Sequence, residues 1–144
     1  MDDRELLAQA VELAQRCPPS ETAFSVGALV VAADGTVLAE GWSRQRDPKD
    51  HAEEAALATL DVVPPGATVY SSLEPCSARA SRPRTCTQLI LAAGITRAVF
   101  AWREPSLFVE GEGAEQLRAA GVEVVELPEL ADAAREPNGH LLGR

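Results

Sequence analysis

TVYSSLEPC at residues 68–76 runs through SARASRPRT at 77–85 into CTQLILAAG at 86–94, and this stretch decides how the rest of the chain is read. The β-branched and aromatic residues from Thr68 to Leu73 predict a strand, which ends at Glu74-Pro75-Cys76. From Cys86 onward Leu89, Ile90, Leu91 and Ala93 predict a helix closed by Gly94, a natural C-terminal cap. The unit therefore carries one thiol where a strand ends and another where a helix begins. Backbone N–H groups and the helix dipole at such positions favour thiolate over thiol.

Working outward, the same alternation continues on both sides. Upstream, Leu6, Leu7, Ala10, Leu13 and Ala14 recur at helical spacing from Arg4 to Arg16, and Pro18-Pro19 stops that helix. Phe24 to Ala33 and Thr36 to Trp42 read as a hairpin about a two-residue Asp34-Gly35 turn. A polar loop from Arg44 to Lys49 leads to a second helix that starts near Asp50, carries Ala52, Ala55, Ala56, Leu57 and Leu60, and closes at Pro64-Pro65-Gly66. Downstream, Thr96 to Ala101 and Val122 to Glu126 predict strands, with a helix from Glu112 to Ala120 between them and a short one from Glu129 to Arg135. An initial hairpin followed by alternating strands and helices implies a three-layer α/β/α sandwich with a mixed five-stranded sheet. A length of 144 residues suits one such domain over 1–144, large enough to bury a core without staples.

The totals narrow the function. A formal net charge of −9 disfavours a long nucleic acid, because binding one requires clustered cations to displace its counterions. Arg79, Arg82 and Arg84 nevertheless lie close together between two cysteines and could grip a small anion such as a substrate phosphate, which guanidinium matches in two-point geometry. No apolar run approaches the roughly 18 residues of a membrane span, and the acidic Met1-Asp2-Asp3-Arg4-Glu5 is unlike a secretory leader. A cytoplasmic protein is expected, and an odd count of three cysteines fits a reducing compartment.

Only two histidines occur in the chain. One of them, His51, together with Cys76 and Cys86 forms a three-ligand set that leaves the fourth position of a tetrahedral zinc ion open, as catalytic rather than structural sites do. Glu53 would then handle protons. Taken alone, Asp50-His51-Ala52-Glu53 also reads as a loose helix capping box, and Cys17 as a small part-buried thiol beside a proline turn. The two cysteines downstream tip the reading of Glu53 toward catalysis.

His51-Ala52-Glu53 followed by Pro75-Cys76 resembles the zinc deaminase signature, H-x-E then P-C-x-x-C, except that nine residues rather than two separate Cys76 from Cys86. Tyr70-Ser71-Ser72-Leu73-Glu74-Pro75-Cys76, with a long insert before the second cysteine, is most similar to the pyrimidine deaminase domain of riboflavin biosynthesis. Glu104-Pro105-Ser106 with Gly111-Glu112-Gly113, Leu117 and Ala120-Gly121-Val122 resembles that family's next segment, and Asn138-Gly139-His140-Leu141-Leu142 is weakly similar to its tail. The resemblance implies a cytidine deaminase-like fold, bound Zn2+, a small heterocyclic substrate with or without a phosphate, and assembly into homodimers or homotetramers. It further implies that Glu53 takes a proton from water, passes it to a ring nitrogen and then protonates the departing amine.

Several positions depart from the riboflavin pattern. Thr22-Ala23-Phe24 replaces Pro-Asn-Pro, and Ala78 stands near the place of a histidine. Phe24-Ser25-Val26-Gly27-Ala28 looks more like cytidine deaminases, and Gly41-Trp42-Ser43 is similar to the Gly-Trp-Asn of tRNA adenosine deaminases. Phe24 and Ser43 are accordingly candidate pocket residues beside the three arginines. The alternatives are a cytidine, deoxycytidylate or free-base deaminase and, from another class, a zinc-stabilised binding module without catalysis.

Overall fold

Helix α1 (Asp3–Leu13) starts where the Asp2 carboxylate accepts the Glu5 N–H at 2.9 Å and the Glu5 carboxylate reaches back to the Asp2 N–H at 3.4 Å, a closed capping box. The computed structural model describes residues 2–76, 84–103 and 113–142. Within them follow β1 (Gly27–Val31), β2 (Val37–Trp42), α2 (Ala52–Ala58), β3 (Thr68–Leu73), α3 (Cys86–Ala92), β4 (Arg97–Trp102), α4 (Gly113–Ala119), β5 (Glu123–Glu126) and α5 (Ala131–Arg135). Short 3-10 turns at Pro128–Leu130 and Glu136–Leu141 flank α5. No described helix is long and apolar enough to cross a membrane.

The strands form one sheet in the order β2-β1-β3-β4-β5. Strand β1 runs antiparallel to β2 and β3, with Gly27 opposite Trp42 and Ala28 opposite Ser71. Strands β3, β4 and β5 are parallel, with Thr68 opposite Arg97 and Arg97 opposite Glu123. The sheet is the mixed five-stranded one expected, and both its faces are covered. Leu29, Val31 and Val99 meet α1 and α5 through Leu6, Leu7, Ala10 and Ala134 on one side. Val30, Val69 and Ala98 meet α2, α3 and α4 through Ala56, Ile90 and Leu117 on the other. Successive residues of β1 thus serve opposite layers, as a strand's two-residue period demands.

Two glycines set how closely helices approach the hairpin. A methyl group at Gly27 would lie 1.9 Å from the Ala10 carbonyl oxygen, and one at Gly41 only 2.3 Å from that of Ala52. The second contact seats the start of α2, where His51 and Glu53 lie, directly on β2. Arg97 forks onto Asp3 at 2.7 and 2.5 Å while the Tyr70 hydroxyl donates to the same carboxylate at 2.6 Å, tying α1 to β3 and β4. The Arg97 hydrogen bonds, opposed by partial burial, hold the Asp3 carboxyl down to about 2.

Three details differ from expectation. The hairpin turn is longer than two residues: Ala32 N–H pairs with Thr36 O at 2.8 Å, and Gly35 at φ 92° closes a tight turn onto Ala32 O at 2.9 Å. A three-residue loop ending in a left-handed glycine is the usual alternative to the two-residue form. Strand β1 starts at Gly27 rather than Phe24, because side chains take the backbone N–H groups just upstream: Asn138 takes that of Ser25 and Ser43 that of Val26. The segment after Arg135 continues as a 3-10 turn that the spacing of apolar residues did not reveal.

Candidate active site

The end of β3 and the start of α3 are joined by a short set of hydrogen bonds centred on Cys76. Glu74 N–H donates to Trp102 O at 2.7 Å, so the chain stays beside β4 one step past the strand. Thr85 and Gln88 then cap α3 reciprocally, Thr85 Oγ1 accepting from Gln88 N at 3.1 Å and Gln88 Oε1 from Thr85 N at 2.9 Å. In the first turn of that helix Thr87 gives its N–H and its hydroxyl to the Cys76 carbonyl at 3.2 and 2.8 Å. Cys86 N–H points at Cys76 Sγ, 3.1 Å away. The strand end and the helix start therefore bring the two sulfurs together across the nine residues that separate them in sequence.

His51 completes the group from α2. Its Nδ1 lies 3.3 Å from Cys86 Sγ, and the three ligand atoms of His51, Cys76 and Cys86 all fall within 4.8 Å of one another. Hydrogen bonding from Cys86 and then from His51, with burial opposing, lowers the Cys76 thiol to about 4. A thiolate at neutral pH is the form a zinc ion requires. Around a tetrahedral zinc with bonds of about 2.0–2.3 Å, neighbouring ligand atoms sit roughly 3.3–3.8 Å apart, so one imidazole and two sulfurs gathered this closely suit the ion.

Glu53 is not the residue that caps α2. His51 occupies the N-cap, and Glu54, three residues on, accepts its N–H at 3.2 Å. The expected Asp50–Glu53 box is thus displaced by one residue, because Asp50 is committed elsewhere. Its fully buried carboxylate receives Arg46 Nε and Nη2 at 2.7 and 2.8 Å and the Arg46 N–H at 3.1 Å, which lowers its pKa and clamps the loop that delivers His51. Glu53 is left in the first turn of α2, only 3% exposed, beside His51 and Cys76 in the lining of a cavity of about 400 Å³. Concave sites of a few hundred cubic ångströms suit small-molecule ligands.

The remaining expected site residues fall into three groups. Phe24 lines the cavity and packs edge-on against Trp102, with ring centroids 5.2 Å apart. Ser43 also lines it, but is buried with its hydroxyl 2.9 Å from the Val26 N–H, which it accepts. Arg84 is exposed two residues before Cys86 and is not part of the lining, while Arg79 and Arg82 lie outside the described residues. The segments Glu104-Pro105-Ser106 and Gly111-Glu112 also lie outside them.

Sequence reasoning missed Glu74, Asp50 and Arg44, all of which line the cavity. Glu74 is 4% exposed, accepts the Ala114 N–H at 2.9 Å and faces Arg103 at 3.6 Å. It couples α4 to the residue just before Pro75, where Gly113 comes so close that a methyl group would lie 2.0 Å from the Pro75 carbonyl oxygen. An acid directly before Pro-Cys was the available signal for Glu74.

Residues 1–102 match the family described as the cytidine and deoxycytidylate deaminase zinc-binding region. The chain is similar to the diaminohydroxyphosphoribosylamino-pyrimidine deaminase of Schizosaccharomyces pombe, 38% identical over 127 residues that cover 85% of this chain and 31% of that protein. Among solved structures it resembles RibD of Acinetobacter baumannii, with a TM-score of 0.81 and 33% identity over 95% of this chain and 38% of that one. It also shares the fold of the Rib2 deaminase of Aspergillus oryzae in complex with DARIPP, with a TM-score of 0.79 and 23% identity over 97% of this chain and 96% of that one. The chain spans about a third of the length of the curated relatives it matches.

Proposed function

Because the chain belongs to the cytidine and deoxycytidylate deaminase family, we propose that it is a zinc-dependent hydrolytic deaminase of an amino-substituted pyrimidine nucleotide. The observation that carries this reading is the convergence of His51, Cys76 and the fully buried Cys86, with His51 and Cys76 lining one cavity together with the buried Glu53. The similarity to the fission yeast deaminase makes a diaminopyrimidinone ribosylamino phosphate the first substrate to test.

His51, Cys76 and Cys86 would hold the zinc, which when bound would supply a Lewis acid lowering the pKa of water toward neutrality, an effect tempered by two thiolates. The protein's own groups do the rest. Glu53 accepts a proton from the attacking water and returns it to the ring nitrogen next to the reacting carbon. A C–O bond forms, the exocyclic C–N bond breaks, and the second water proton leaves through Glu53 on the departing ammonia. No electron transfer is involved. Glu53 is buried in the first turn of α2, two residues from His51, which places its carboxylate on the element that also carries a metal ligand.

The test is ammonia release by the zinc-loaded protein over amino-pyrimidines and amino-purines offered as base, nucleoside and 5′-phosphate. Turnover of the phosphorylated diaminopyrimidinone well above the rest is expected. Preference for unphosphorylated cytosine or guanine compounds would instead assign the pocket to nucleosides or free bases, and silence across the set with zinc bound would favour a binding module.

A further inference from the structure

The cavity wall from Pro18 to Val26 belongs to no helix or strand. It contributes Thr22, Ala23, Phe24 and Val26 to the lining, together with His51 and Cys76 of the metal-ligand group. A wall without regular structure must have its backbone polar groups satisfied from elsewhere, and here two distant residues do so. Asn138, fully buried and 113 residues away in sequence, accepts the Ser25 N–H at 2.6 Å through Oδ1 and donates Nδ2 to Ser25 O at 3.0 Å and Ala134 O at 3.4 Å. Its side-chain amide pairs with Ser25 as a neighbouring strand would. His140, on the same 3-10 turn, has Nε2 2.6 Å from Ser20 O.

Arg44 holds the wall from the other side. Its guanidinium donates to Phe24 O at 3.1 Å, to Ser25 Oγ at 2.7 Å and twice to Pro18 O at 2.8 and 3.1 Å. Its own backbone N–H donates to Asp50 O at 2.8 Å, the carbonyl immediately before His51. Arg44 is also the one non-glycine residue at positive φ among the described residues, at 61°. A conformation of that kind is disfavoured for a residue with a side chain and persists where the surroundings enforce it, often at functional sites. One residue thus spans from the metal-ligand loop to the cavity wall.

We propose that Asn138 and Arg44 are positioning residues that fix the substrate wall against the metal centre, making the segment after α5 part of the specificity apparatus. Asn138 acts through the backbone of Ser25, and Arg44, itself in the lining, through the carbonyls of Pro18 and Phe24 and the hydroxyl of Ser25. The role in specificity rests on the deaminase reading above, whereas the ordering of the wall does not.

Two measurements test this on the zinc-loaded full chain. Amide exchange in Asn138→Ala is expected to accelerate roughly tenfold or more over residues 18–26, as loss of two net hydrogen bonds implies, with β3 and α2 unchanged. KM for the best substrate should rise about tenfold, as a comparable loss at a pocket wall implies, with kcat and zinc content retained, and Asn138→Asp, which keeps the acceptor for Ser25 N–H, should recover part of it. If Asn138→Ala does not fold, Arg44→Met, whose residue itself lines the cavity, tests the wall by the exchange over residues 18–26. Unchanged exchange over 18–26, or a fall in kcat at unchanged KM, would overturn the proposal. A wild-type protein silent on every substrate would count against the deaminase reading, while the exchange result would still decide whether these residues order the wall.

Discussion

Glu53→Gln is expected to lower kcat by at least about a thousandfold while leaving zinc content and fold intact. A single well-placed acid–base group contributes on the order of 100- to 10,000-fold, and Glu53 is asked to carry protons both onto the ring nitrogen and onto the leaving amine. The substitution is nearly isosteric, so the first turn of α2 should survive: the turn is capped by Glu54 on the His51 N–H, not by Glu53. Zinc stoichiometry should stay at the wild-type level because Glu53 is not among the three clustered ligand atoms. Substrate should still bind, giving a stable complex in which turnover is too slow to interfere. Metal analysis with steady-state kinetics checks this. A variant that keeps zinc and near-normal turnover would remove Glu53 from the mechanism, and a wild type that binds ligand without turnover would favour a binding module.

Cys86→Ser should abolish both zinc retention and activity. Cys86 is fully buried, its sulfur sits 3.3 Å from His51 Nδ1, and its N–H is the group that faces Cys76 Sγ. A hydroxyl cannot replace a thiolate as ligand, and even partners one shell further out cost roughly 10–100-fold in metal affinity when removed. The affinity loss should exceed that range. A ligand that binds only the folded state at a hundred times its dissociation constant stabilises by about 2.7 kcal/mol. Chelation should therefore lower the unfolding midpoint of the wild type and leave that of Cys86→Ser unchanged. Equal sensitivity to chelator in both proteins would place the metal elsewhere.

The local parts of this structure were legible because their causes are local. The β-branched run from Thr68 to Leu73 and the helix starting at Cys86 were predicted to within a residue of their ends. His51, Glu53, Cys76 and Cys86 could be paired because cysteine and histidine are rare here and occur in a recognisable order. What stayed hidden depends on distance. Nothing near Ser25 indicates that Asn138 takes its N–H, so the sequence starts the first strand three residues early, at Phe24 instead of Gly27, and runs it to Ala33 instead of Val31. Asp50 looked like a cap because it precedes a helix, and only the fold brings Arg46 onto it in two-point geometry. Ser43 was placed in the pocket by analogy, and its hydroxyl is turned to the backbone of Val26. Glu74 beside Pro75 could have been suspected, but its partner Ala114 is 40 residues away.

In the proposed reaction water replaces an amino group, with both the metal ligands and Glu53 required. The most direct test is turnover of the phosphorylated diaminopyrimidinone by zinc-loaded protein in water enriched with heavy oxygen, followed by mass analysis of the product. One heavy oxygen per product and one ammonia released for each are expected, and neither from the chelated protein nor from Glu53→Gln. Product formed at the wild-type rate after chelation, or product without the label, would contradict that reaction.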